Sequence, residues 1–162
     1  MHEHNPSASP EARLASLGLT LPPPPKPLAL YRPVVVSGGF AWVSGQVPLE
    51  DGHPIAVGRV PDHVTEDVAR DCARRCALSA LAALREELGS LDRVVRVVKL
   101  GVFVASHPEY GGQPGIANEA SRVMVDVFGE EAGRHARAAV GVASLPLRVP
   151  VEVECVFEVR PA

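Results

Sequence analysis

The segment from Thr65 to Leu88 constrains the fold more than any other, because its inward stripe is built largely of alanine. Ala69, Ala73, Ala77 and Ala80 fall on one side at helical spacing and lead to Leu84 and Leu88, while Arg70, Arg74, Arg75 and Glu86 lie elsewhere. Thr65 is placed to cap the helix, Glu66 and Asp67 favour its positive end, and Gly89 stops it. A stripe of methyl groups lets a helix approach closely whatever it covers. The expectation is a long helix lying close on a β-sheet.

Strand signals lie on both sides of that helix. Tyr31 to Val47 reads as a β-hairpin: Val34, Val35 and Val36 run into Ser37-Gly38-Gly39, then Phe40-Ala41-Trp42-Val43 and Ser44-Gly45-Gln46-Val47-Pro48. A loop rich in Gly and Pro is expected from Asp51 to Pro61. After Asp92 a valine-rich run to Val104 reads as a buried strand. A second helix is expected over Pro114 to Phe128, with Ile116, Ala120, Val123 and Val127 on one face. Two strands close the chain, Arg137 to Val142 and Val149 to Val159. The last alternates Val151, Val153, Cys155, Phe157 and Val159 with Glu152, Glu154, Val156, Glu158 and Arg160.

The N-terminal part is different in kind. A polar tail carries His2 and His4. Ser9, Pro10 and Gly18 then bracket a short helix with Leu14 and Leu17. Leu21-Pro-Pro-Pro-Pro-Lys-Pro27 must run extended, since proline fixes φ and removes a donor, and is read as a stiff strap across the body. The whole is an α+β fold, a mostly antiparallel sheet of four or five strands with two long helices on one face. Apolar positions on the other face point to packing against another subunit.

A chain of 162 residues has room for one core and needs no disulfide or metal to hold it. A net charge of −3 and an aromatic content of 4% argue against a nucleic-acid partner, which calls for a basic footprint and stacking rings. The three cysteines, two of them in the long helix, are no disulfide framework and fit a reducing compartment. The N-terminus lacks a signal-peptide apolar run and no stretch is long enough for a membrane span, so the expectation is a cytoplasmic protein.

No metal constellation is visible. Cys72 and Cys76 share a helix face without further ligands at fixed spacing, and His53, His63, His107 and His135 are scattered. Three polar features remain. Glu152 sits between Val151 and Val153, Arg137 opens a strand of small apolar residues, and Ser44-Gly45-Gln46 ends another. Taken singly, each has a plain reading: an outward strand position, a surface ion pair, a bend that Gly permits.

Together they match a pattern in order and spacing. Tyr31, then Ser44-Gly45-Gln46-Val47-Pro48, Asn118, Ala136-Arg137-Ala138-Ala139-Val140, Leu145-Pro146 and Val151-Glu152-Val153-Glu154 resemble the RidA-like (YjgF) family of enamine/imine deaminases. The resemblance covers residues 31–162 as the RidA-like domain and leaves residues 1–30 as an N-terminal extension typical of a longer branch. It implies a chorismate-mutase-like fold and a homotrimer with ligand sites in clefts between subunits. It also implies hydrolysis of small enamines or imines such as 2-aminoacrylate to 2-keto acids and ammonia, with no cofactor. Arg137 would hold the substrate carboxylate and Glu152 would orient or deprotonate the attacking water. Gly45 would offer its backbone, and Tyr31, Ser44 and Asn118 match further cleft positions. Ala139 stands where many members carry a cysteine whose backbone contacts ligand. The resemblance also leaves open a non-catalytic carboxylate-binding trimer, or the endoribonuclease or translation-inhibitor role often attached to the family.

Overall fold

The computed structural model describes residues 8–26 and 30–161. The tail with His2 and His4, and Pro27 at the end of the strap, lie outside them. A short helix α1 (Pro10–Ser16) precedes a hairpin, β1 (Val34–Ser37) and β2 (Phe40–Gln46). Two short strands, β3 (Leu49–Glu50) and β4 (His53–Pro54), pair with each other, and helix α2 (Glu66–Leu88) follows. Then come strand β5 (Val94–Ala105), helix α3 (Gln113–Gly133), strand β6 (Ala136–Val142) and strand β7 (Val151–Val159). The main sheet has five strands in the order β1-β2-β7-β5-β6, antiparallel except for the parallel pair β5 and β6.

Helices α2 and α3 pack on each other and on one face of this sheet. The alanine stripe does what its chemistry dictates: Ala69, Ala73, Ala77 and Ala80 are wholly buried together with Leu84. The Thr65 hydroxyl accepts from Val68 N, and Gly89 closes α2 in the left-handed region at φ 81°, its N–H donating to Arg85 O at 2.8 Å. Under the helices β7 buries Val151, Val153, Cys155, Phe157 and Val159, and it turns its even-numbered residues to the other face. Cys72 and Cys76 are core residues of α2, and burial pushes the Cys72 thiol up to about 12.

Two sequence expectations need adjustment. The loop expected from Asp51 to Pro61 contains β4, which pairs back on β3 around Asp51 and Gly52, both at positive φ. Strands of two residues carry no readable period, and only the Asp-Gly turn pair betrays them. Helix α3 continues to Gly133, but Gly129 interrupts it with φ 82° and ψ 168°, so regular helix does end at Phe128. A Cβ on Gly129 would stand 3.3 Å from Nη2 of Arg13 in α1, so glycine serves there both the backbone and the neighbouring guanidinium.

Helix α1 is tied down at its own first turn. Glu11 N donates to Asp92 Oδ1 at 3.0 Å, and Leu91 N donates to Glu11 Oε1 at 3.0 Å. Leu14 joins the main core. The prolines Pro23, Pro24 and Pro25 then run beside Ala83, Glu86 and Glu87 of α2.

The close seating of α2 makes the alanine positions intolerant of bulk. Ala77→Leu is expected to lower unfolding free energy by about 1–3 kcal/mol through overpacking. Urea denaturation of the two proteins measures this, and an unchanged midpoint would mean that α2 can lift off the sheet without cost.

Candidate functional site

Strand β2 carries a β-bulge where the Ser44-Gly45-Gln46 motif lies. Val43 pairs with Cys155 and Gln46 with Val153, so Ser44 and Gly45 together oppose the single residue Glu154. The bulge returns Gln46 to the buried side, where its Nε2 donates to Ser44 O at 2.9 Å. Ser44 in turn fixes the chain ahead of the hairpin: its Oγ donates to Arg32 O at 2.8 Å and its N to Pro33 O at 2.9 Å. Tyr31, half exposed, stands at the start of that tethered segment.

Gly45 leaves room for what lies over it. A Cβ there would fall 1.8 Å from Glu152 Oε1, so any side chain at this position would push the Glu152 carboxylate out of its place. The Glu152 carboxylate therefore rests directly on the bulge backbone. Among the described residues no group donates a hydrogen bond to it. Burial pushes its pKa up, and the neighbouring charge of Glu154 adds to the effect. Glu152 is thus a carboxylate made more basic than usual, backed by a glycine and facing away from the helices.

Arg137 belongs to a second cluster. Its partner in β5 is the buried Leu100, so its side chain leaves β6 on the helix-covered face and runs to α3. Nη1 donates to Asn118 Oδ1 at 2.9 Å and to Ser121 Oγ at 3.0 Å, and Nη2 donates to Pro114 O at 3.4 Å. Pro114, Asn118 and Ser121 follow one another at helical spacing along a single stripe of α3, so one helix face supplies all three acceptors. The guanidinium keeps Nε–H and one Nη2 hydrogen for an outside acceptor. Beside it lies an open depression of about 340 Å³, lined also by Val125, Glu130, Arg134 and His135.

The structure joins Glu152 to Gly45, and Arg137 to Asn118, but does not join the two groups within one chain. Glu152 pairs with Phe103, while Arg137 pairs with Leu100, which lies on the opposite face of β5. Ala139 lies on the Arg137 side and packs against the core. The site residues expected from sequence therefore fall into two clusters on opposite faces of the sheet.

Sequence reading missed Ser121 and undervalued His135. His135 Nδ1 lies 2.6 Å from Gly133 O and its Nε2 lies 3.0 Å from Ser121 Oγ, which links it to Arg137. Burial lowers its pKa against the opposing pull of the bond to Gly133 O, and the charge of Arg137 adds to the lowering. The available signal was a polar stripe on α3, Asn118 followed by Ser121 on the face away from Ile116, Ala120, Val123 and Val127.

A two-layer α+β chain with a carboxylate on a bulge glycine and an arginine held by the facing helix defines the class. Residues 23–159 match the family described as Endoribonuclease L-PSP, and the chain belongs to that family, the YjgF/RidA group. It is 45% identical over 149 residues to protein TCP17 of Trypanosoma cruzi, covering 92% of this chain and 93% of that one. The crystal structure of Atu1372 from Agrobacterium tumefaciens, a protein of unknown function, is similar with a TM-score of 0.85 and 43% identity over 93% of this chain and 92% of its own. TdcF of E. coli, solved with bound serine, is similar with a TM-score of 0.60 and 25% identity over 85% and 94%. Among the described residues no helix is long and apolar enough to cross a membrane.

A carboxyl whose folded-state pKa is raised stabilises the fold only while protonated, and that contribution is lost as pH rises through the folded pKa. Ionised Glu152 therefore costs stability at neutral pH. Glu152→Gln is expected to melt above wild type at neutral pH, with the difference closing below about pH 4, where both side chains are neutral. Thermal scans across that range decide it; a variant less stable than wild type at neutral pH would show that Glu152 is stabilised by a partner.

Proposed function

We propose that this protein hydrolyses small 2-imino acids, and the enamines that tautomerise to them, to 2-keto acids and ammonia. One observation carries the reading: Arg137 is anchored by three acceptors with two donors to spare, and Glu152, a carboxylate whose pKa burial raises, lies on the other face. The first arrangement suits a planar carboxylate, which accepts two parallel N–H bonds. The second suits a base, because a raised pKa strengthens the carboxylate's pull on a proton.

The chemistry asks for little else. The imine carbon is already electrophilic. Water adds to it while Glu152 takes the water's proton, giving a carbinolamine. Glu152 returns that proton to nitrogen, then takes the hydroxyl proton and delivers it to nitrogen as well, so that the C–N bond breaks, the hydroxyl becomes the keto oxygen and ammonia leaves. Bound serine in TdcF supports a ligand of this size with an α-carboxylate.

The division of the site over two faces supports an assembly in which two copies supply one site. In a cyclic homotrimer, Arg137 and Asn118 of one copy would face Gly45 and Glu152 of the next, with Tyr31 and Ser44 at the rim. The exposed Val35, Trp42 and Val140 give the open face the apolar character such an interface needs. A carboxylate-binding protein without catalysis would use the same arginine but would have no need of Glu152.

The test is keto-acid release from 2-aminoacrylate and 2-iminobutanoate generated in situ. Glu152→Gln is expected to lower kcat by about 10²–10⁴-fold while still binding the keto acid. Arg137→Ala is expected to lose both activity and binding. Mixing the two inactive variants under conditions that exchange subunits should restore part of the activity, because some mixed clefts then hold an intact Arg137 and an intact Glu152. Absence of catalysis by wild type with keto-acid binding intact would convert the reading to a binding protein. Failure of the mixture to recover would overturn the cleft shared between two copies.

A further inference from the structure

We infer that Ser121 and His135 are positioning residues for Arg137, occupying its Nη1 so that a substrate carboxylate is taken on Nε and Nη2. This deepens the assignment of Arg137 as the carboxylate clamp and rests on it. The argument is an accounting of hydrogens. Gly133 O can only accept, so His135 Nδ1, 2.6 Å away, carries a hydrogen. A neutral imidazole protonated there has a bare Nε2, which must accept at 3.0 Å from the Ser121 hydroxyl. The one hydroxyl hydrogen being used, Ser121 Oγ presents a lone pair to Arg137 Nη1 at 3.0 Å. The other Nη1 hydrogen goes to Asn118 Oδ1 at 2.9 Å.

Each polarity follows from the one before, from a backbone carbonyl at the end of α3 to the guanidinium. The chain of bonds also spans the α3–β6 connection, joining the end of the helix, its middle and the first residues of the strand. Without the acceptor at Nε2, the Ser121 hydroxyl is free to rotate toward the Ala117 carbonyl one turn back, as serines inside helices do. The lone pair that meets Nη1 is then no longer fixed, and the guanidinium can turn about its own axis.

Three variants of the full chain separate this role from space-filling. Ser121→Ala removes the middle of the relay, His135→Phe fills the ring's volume without an acceptor, and His135→Gln places an amide oxygen near the position of Nε2. Calorimetry with 2-oxobutanoate is expected to show Ser121→Ala and His135→Phe binding about tenfold more weakly than wild type, the worth of one such hydrogen bond. His135→Gln is expected to recover most of the affinity lost with Phe, and in turnover assays the loss should fall on KM rather than kcat. Equal affinity of the Phe and Gln variants would overturn the inference. If wild type itself fails to bind 2-oxobutanoate, the clamp assignment is what fails. The positioning role is then decided without ligand, by NMR of the Arg137 side chain. Hindered Cζ–Nη1 rotation in wild type and averaging in Ser121→Ala and His135→Phe support it, and identical signals in all three sink it.

Discussion

The close contact between the alanine stripe of α2 and the sheet governs everything else in this molecule. Because Ala69, Ala73, Ala77 and Ala80 bring the helix down onto the strands, one sheet face is filled by backbone-near packing and has no space for a polar cleft. Charged side chains must leave that face or lie at its margin. Strand β7 takes the first course, sending Glu152 and Glu154 outward between buried valines. Strand β6 takes the second: it is the edge strand, so Arg137 can leave on the helix side and still reach solvent beside α3.

Local irregularities then tune these two outlets. The bulge at Ser44 and Gly45 brings bare backbone under the Glu152 carboxylate, and the absent Cβ is what allows the close approach. A similar device recurs one step along the sheet, where a Cβ on Gly101 would stand 2.7 Å from Glu154 Oε1. Two carboxylates of β7 thus lie over glycines of the strands on either side of it, near enough for the charge of Glu154 to raise the pKa of Glu152. Among the described residues no group donates a hydrogen bond to Glu152, so Gly45 lets it lie close to the backbone without a compensating partner.

What was legible in the sequence was what is local. Helix α2 declares both ends through Thr65 and Gly89, and β7 declares its two faces by strict alternation. The end of regular helix near Phe128 was legible because the apolar face runs out at Val127, and the structure places the break at Gly129. The β3–β4 pair was not, since two residues per strand hold no periodicity. The parallel pairing of β5 with β6 was also hidden, because register between distant strands is set by packing rather than by either segment alone. Glu152 and Arg137 could be named from their motifs, and Glu152 was already legible as an outward position. That Arg137 leaves by the opposite face needed the register with Leu100, and the partnership of Ser121 with His135 exists only once α3 folds back over β6.

The opposite placement of the two charged groups has a physical logic of its own. A carboxylate and a guanidinium placed together in one chain would pair, lowering the carboxylate's pKa and blocking the donors that a substrate needs. Holding Arg137 on uncharged acceptors, Asn118, Ser121 and the Pro114 carbonyl, leaves its charge uncompensated, and resting Glu152 on glycine does the same for the base. Burial is already the leading cause of the raised Glu152 pKa in the single chain. Covering the open face with a second copy would remove more water from the carboxylate, and a cleft formed in that way would gain a stronger base as it closed. The arginine arriving from the neighbour would act the other way, until a substrate carboxylate took its charge. In the proposed assembly, Glu152 would be restrained while the cleft is empty and released once a substrate carboxylate is clamped.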